Sequence, residues 1–339
     1  MQAAPPPPPA IACRHFTRNP MCRPLPANPQ VSPYSAAWAA QQAQPGRPPA
    51  FASFGSSTAP QPGDRSDGSF PLYADAGPGN SIVHVVRCEG VSYSAFICEK
   101  NHVAGIRVRI PRGAFPQGNA DHHLSIEDDA AKTEFDFWGA SAPSDDPESP
   151  LVALTGGACP YDGDGTDCSG STATGIATSL GAIDPHALVR AEASPHGTLP
   201  YAIATSALCA SPTWVYPATF SDGSNTDKTP ACRDGLGANG RPPEGVRYFL
   251  DVSDAEVDAT ANAPYVKALL RTLDREHFGG TLTDTNWSGA PGLAFGFLRG
   301  DDWSALAREA GVSAAGGLPM TTNGIDLAKK LRFCTNGTC

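Results

Sequence analysis

The chain has 339 residues, a formal charge of −10 from 34 acidic against 24 basic residues, and 35 Gly with 34 Pro. About a fifth of the sequence therefore favours turns, which argues against helical bundles and coiled coils. The acidic balance, with no basic cluster beyond Lys329–Lys330, excludes an electrostatic nucleic-acid footprint, and no apolar run approaches the ~18–20 residues of a membrane span.

Residues 1–75 carry five consecutive prolines, Pro5 to Pro9, and almost no apolar periodicity. They read as a Pro/Gly-rich extended arm, partly ordered by Cys13 and Cys22, ahead of a single β-rich domain over 76–339. From Ser81 the texture changes. Ile82–Cys88, Val91–Cys98, Ile106–Ile110, Leu124–Ile126, Glu134–Trp138 and Tyr201–Leu208 are short β-rich runs set apart by Gly, Pro and Asn. Their spacing predicts a mainly β fold, an antiparallel sandwich or jelly-roll, with two or three peripheral helices. The helices expected are Gly170–Leu180, Pro264–His277 and Asp301–Ala310.

Ten cysteines fall as sequential near pairs: Cys13/Cys22, Cys88/Cys98, Cys159/Cys168, Cys209/Cys232 and Cys334/Cys339. None has C-x-x-C spacing, so disulfide staples are expected rather than zinc or thioredoxin chemistry, and with them a secreted or periplasmic location. The opening Met-Gln-Ala-Ala-Pro has neither the charged nor the apolar region of a signal peptide, so this expectation rests on cysteine usage. The 18 Arg against 6 Lys, in an Ala/Gly/Pro-rich background, suggest a GC-rich bacterial genome.

The chemistry is expected in Asp121-His122-His123-Leu124-Ser125-Ile126-Glu127, a turn, and Glu134-Phe135-Asp136-Phe137-Trp138. A hairpin that pairs Ile126 with Phe135 and Leu124 with Phe137 buries those four on one side. The opposite side then carries His123, Ser125 and Glu127 facing Trp138, Asp136 and Glu134. Like charges directly opposite destabilise a strand pair unless they are solvated or used. An indole beside acids is what sugar recognition requires, the ring stacking on the pyranose while carboxylates take its hydroxyls. Glu134 and Asp136 are accordingly the candidate acid/base and nucleophile of a glycoside hydrolase acting on a poly- or oligosaccharide. Asp121, His123 and His186 are catalytic support, and Trp138, Ser125, Glu127, Asp184 and Asp284 are substrate contacts. A polysaccharide lyase with a histidine base, and a non-catalytic carbohydrate-binding or structural module, are the competing readings.

No cofactor is required by this chemistry. Asp162, Asp164 and Asp167 alternate with glycines as in a short calcium loop, but without the final bidentate Glu of an EF-hand, so a structural Ca²⁺ competes with a plain acidic turn. Asn286 and Asn336 open glycosylation sequons, and Trp214 and Tyr216 are either further sugar-stacking groups or core aromatics. No nucleophile elbow, phosphate loop or zinc-protease helix is present in the sequence.

Two resemblances bear on this reading. Glu134-x-Asp136-x-Trp138 is similar to the E-x-D-x-E strand of laminarinase-type jelly-roll glycosidases, with Trp138 in place of the third acid. Over residues 80–330, Asp121–Leu124, Glu134–Trp138, Ile183–Leu188, Tyr216–Ala218 and Pro243–Arg247 resemble, in order, a set of secreted, mostly actinobacterial proteins with the pattern D-x-H-L, E-Y-D-F-W, I-D-H-A-L, Y-P-A, P-E-G-x-R. That resemblance implies a shared extracellular β-rich domain and no particular reaction. Pro185 interrupts the third motif, and Cys159–Cys168 stands where those proteins carry a Trp-Gly-Gly turn.

Overall fold

The computed structural model describes residues 13–42, 70–89, 103–118, 121–166, 168, 175–207, 209–223, 240–285, 293–295, 298, 306–308, 311, 324–335 and 339. The first half of the chain forms β1 (Leu72–Ala74), β2 (Ser81–Cys88), β3 (Arg107–Pro111), β4 (Leu124–Asp128), β5 (Thr133–Trp138), β6 (Leu151–Ala153) and β7 (Thr155–Pro160). These make a three-stranded sheet ordered β3-β2-β6 and a four-stranded sheet ordered β1-β4-β5-β7. The two pack face to face: Val86, Val108, Ile110 and Leu151 meet Leu124, Ile126, Phe135 and Phe137 in one apolar core.

The second half contributes β8 (Ile203–Ala207), β9 (Ser211–Trp214), β10 (Pro243–Glu244), β11 (Arg247–Leu250), β12 (Gly280–Thr285), β13 (Ala294–Phe295) and β14 (Leu331–Phe333). Five of these form a sheet ordered β13-β8-β12-β11-β14, and β9 and β10 pair separately. The named helices are short: α1 (Ser35–Gln42), α2 (Pro185–Glu192), α3 (Asp254–Asp258), α4 (Pro264–Thr272) and α5 (Leu327–Lys330), with a 3₁₀ turn at Pro20–Cys22. Trp38, Leu188, Leu269 and Leu270 from the helices cover one face of the five-stranded sheet through Ile203, Tyr248, Leu250 and Leu282. The period-two alternation of β8 sends Ile203 to that face and Ala204 to the other, where it joins Phe16, Met21, Leu180 and the Cys159 and Cys168 sulfurs. The fold class is thus mainly β, a sandwich with few helices, as the spacing of strand-like runs implies.

Some elements differ from expectation. The described part of Gly170–Leu180, residues 175–180, is turn rather than helix, and its Thr178 and Ser179 N–H groups are spent on side chains described below. The helix over Pro264–His277 stops at Thr272, where Leu199 N–H docks on the Thr272 hydroxyl at 2.8 Å. Residues 306–308 of Asp301–Ala310 are helical; its remainder, the strand Val91–Cys98 and both sequons lie outside the described residues.

The N-terminal segment is built into this body. Phe16, Met21 and Trp38 are buried, Met21 C=O accepts from Ala202 N–H at 2.7 Å, and Val31 bridges to Cys334. Disulfides join Cys13–Cys22, Cys159–Cys168 and Cys334–Cys339. Cys88 and Cys209 are also disulfide-bonded, while Cys98 and Cys232 lie outside the described residues. Among the described residues no helix is long and apolar enough to cross a membrane.

Candidate functional site

The hairpin register is the one that the apolar alternation requires: Leu124 pairs with Phe137, Ser125 with Asp136, Ile126 with Phe135 and Glu127 with Glu134. β7 extends the same polar face, with Cys159 opposite Glu134, Gly157 opposite Asp136 and Thr155 opposite Trp138.

That face is closed, which corrects the expectation of an open acidic groove. Glu134 and Asp136 are fully buried and Ser125 and Glu127 nearly so, while Trp138 is half-buried. The segment over 175–182 roofs them. Thr178 N–H donates to Asp136 Oδ2 at 3.1 Å, and Ser179 donates its N–H to Glu134 Oε1 at 2.9 Å and its hydroxyl to Oε2. Cys168 lies over Gly157 so closely that a Cβ there would stand 2.6 Å from the Cys168 carbonyl oxygen. The Cys13–Cys22 loop closes the remaining side: Arg14 Nη1 is 3.6 Å and His15 Nε2 3.5 Å from the Glu127 carboxylate, and the His15 ring stacks on Tyr161 at 3.6 Å.

Electrostatics follow from this burial. Desolvation, then the neighbouring Asp136, pushes the Glu134 carboxyl well above its ordinary range, and desolvation also raises Asp136. Glu127 is pushed up to about 7, again chiefly by burial. Burial thus shifts the carboxyls that the strand pairing sets opposite one another toward their neutral forms. Asp136, Cys159 and Cys168 form the one group of potential metal ligands among the described residues, but both sulfurs are committed to a disulfide.

The other expected catalytic groups do not join this layer in an open site. His123 is half-buried with its ring edge-on to Phe70 at 4.9 Å, and burial lowers its pKa to about 4 against the opposing pull of Asp121, which is itself exposed. His186 stands exposed on the first turn of α2, and Asp184 is that helix's N-cap, its Oδ1 accepting from His186 N–H at 3.0 Å. In the acidic loop, Asp164 Oδ1 accepts from the Thr166 hydroxyl and Oδ2 from the Tyr216 hydroxyl, at 2.7 and 2.8 Å. Asp162 is exposed, and Asp167 lies outside the described residues. Both Asp164 carboxylate oxygens thus accept from protein hydroxyls.

Asp284 belongs to a second carboxyl cluster, at the far end of β12. Its Oδ2 accepts from the Ser206 hydroxyl at 2.9 Å. Glu244, fully buried, accepts from the Thr285 hydroxyl at 3.1 Å and from Asp222 N–H at 3.3 Å. Burial, then Asp222, pushes Glu244 up to about 11 and Asp284 well above its usual range. Parallel pairing of β10 with β9 sets Glu244 beside Trp214.

Next to Glu244, the segment 214–220 bears exposed aromatic side chains and is termed the aromatic shelf. Trp214, Tyr216 and Phe220 are 50, 43 and 40 % exposed. Val215 packs on the core while its neighbours Trp214 and Tyr216 are exposed. Tyr216 is pinned by its bond to Asp164. Gly245 shapes the support: at φ +83° its missing Cβ leaves room for Ala218 N–H and the Val215 carbonyl. Gly245→Ala is expected to cost more than the ~1–2 kcal/mol of a left-handed alanine, read as a lower denaturation midpoint.

Sequence reasoning held Trp214, Tyr216 and Asp284 as secondary groups and missed Asp222, Glu244 and Phe220. The legible signal was Glu244 itself, a lone acid between Pro243 and Gly245 in the Pro243–Arg247 motif. No family model matches this chain, and no curated protein or solved structure matches it either.

Proposed function

We propose that the protein is an extracellular polysaccharide-binding protein whose contact surface is the shelf Trp214, Tyr216 and Phe220. The observation that carries this reading is the exposure of three aromatic rings within seven residues, on a support fixed by the Tyr216–Asp164 bond and the close packing at Gly245. Aromatic faces stack on the C–H faces of pyranoses, and rings already held in place lose little entropy on binding. The cysteine pairs joined as staples support an oxidising, extracellular setting.

Glycoside hydrolysis is the second reading, favoured by Asp222, Glu244 and Asp284 behind the shelf rather than by Glu134 and Asp136. Burial raises the carboxyls of Glu244 and Asp284, the direction that a general acid requires.

Binding to a glycan array and calorimetry on the strongest ligand test the first reading. Trp214→Ala is expected to weaken binding at least about tenfold, the scale of an aromatic anchor. Binding by wild type and Trp214→Ala with equal affinity removes the shelf from the account. Release of reducing ends by wild type, lost in Glu244→Gln, would make the protein a hydrolase; ligand binding without turnover keeps it a binding module.

A further inference from the structure

Two arginines stand beside the shelf in a chain that is otherwise strongly acidic. Arg18 and Arg23 are exposed, and both act electrostatically on the Tyr216 hydroxyl, Arg23 the more strongly. Among the described residues neither guanidinium has a carboxylate partner, unlike Arg14 in the same loop, which lies near Glu127 and Asp129.

Their backbone is fixed. The Cys13–Cys22 disulfide closes the loop that carries Arg18, and Asn19 bonds both to Met21 N–H and, through its amide, to the Asp164 carbonyl at 2.7 Å. Asp164 in turn holds Tyr216. The buried Arg247 donates to the carbonyls of Pro20, at 3.1 Å, and Arg23, at 3.3 Å. Loop, acid and aromatic ring are thus one rigid unit, and the two free guanidinium groups are presented at its edge.

We infer that the shelf binds an anionic glycan, a polysaccharide bearing uronate carboxylates, with Arg18 and Arg23 as the carboxylate-binding residues. The inference rests on the shelf reading and adds the charge of the ligand to it. Guanidinium groups present planar paired donors that match a carboxylate, and they steer an anionic chain toward a surface that the protein's net charge would otherwise repel. The Asp164 carboxylate, whose oxygens accept from the Thr166 and Tyr216 hydroxyls, pairs with neither arginine.

Calorimetric titration of the full chain with an oligogalacturonate, a neutral gluco-oligosaccharide of equal length and a sulfated glycan tests this, at low and at high salt. The expected result is tightest binding of the oligogalacturonate, weakening as salt rises, and about tenfold loss in Arg18→Ala/Arg23→Ala, the effect of one good charged contact. Trp214→Ala should weaken every glycan that binds. Because both arginines are exposed, circular dichroism of the double variant should match wild type. Equal affinity for neutral and uronate chains, or an unaffected double variant, overturns the anionic assignment and leaves the shelf standing. Preference for the sulfated glycan overturns the carboxylate assignment. No binding of any glycan by wild type overturns the shelf and the inference together.

Discussion

Raising the pH from about 5 to about 8 is expected to destabilise this protein, the reverse of a domain held by ionised carboxylates. Glu127 has its pKa pushed up to about 7 in the fold, while an unfolded glutamate ionises near 4.5. Its contribution is fully present below the unfolded value and is lost as the pH rises through the folded one, because only the unfolded chain releases the proton freely. At about 1.4 kcal/mol per pH unit, this one side chain accounts for on the order of 3 kcal/mol. Glu134, Asp136, Asp184, Glu244, Asp274 and Asp284 are raised by burial and act in the same direction. His15 and His123 are lowered and act oppositely, losing stability on acidification, but two imidazoles oppose seven carboxyls. Guanidinium unfolding across this range measures the slope. Glu134→Gln keeps the Ser179 contacts while removing one titrating group, so its profile should be flatter than wild type. A wild-type profile that rises across the range would contradict protonated acids in the hairpin layer.

Arg247→Met should cost on the order of 3 kcal/mol or more. The Arg247 side chain is buried, burial lowers its pKa to about 10, and it donates to the carbonyls of Pro20, Arg23 and Phe278. Removing it takes a charged donor from the Arg23 and Phe278 carbonyls and leaves the Pro20 carbonyl with Arg23 N–H alone, each lost bond worth about 1–3 kcal/mol. The loss should be local as well as global, because those carbonyls anchor the Cys13–Cys22 loop and the link from α4 to β12. Limited trypsinolysis should cut after the exposed Arg18 faster in Arg247→Met than in wild type. Unchanged cleavage and an unchanged denaturation midpoint would show that the disulfide alone holds the loop.

The hairpin was legible because its information is local. Leu124, Ile126, Phe135 and Phe137 alternate with polar residues over two short runs, so one register buries all four, and that register is found. What covers the polar face was not legible, because the roof comes from residues 42 and 45 positions downstream, through Thr178 and Ser179. The same contacts bear on why residues 175–180 form a turn rather than a helix. Small residues there permit a helix, but N–H groups that bond buried carboxyls cannot also bond the preceding turn. Sequential cysteine spacing is local too, and it shows in the Cys13–Cys22, Cys159–Cys168 and Cys334–Cys339 bridges. Parallel pairs such as β8 with β12 and β1 with β4 join residues far apart in the chain, and no periodicity announces them. The carboxyl cluster around Glu244 depends on just such pairings. Its acids, from three separate segments, therefore stood apart in the sequence, and Asp284 alone was singled out.

The division of labour between the two acidic regions is the central claim: the hairpin acids hold the fold together from inside, and the aromatic shelf meets the ligand. Glycan binding measured side by side for Glu134→Gln and Trp214→Ala tests it most directly. The account predicts wild-type affinity in Glu134→Gln and loss of at least about tenfold in Trp214→Ala. Loss of binding in a folded Glu134→Gln variant, with Trp214→Ala unaffected, would contradict it and return the site to the hairpin.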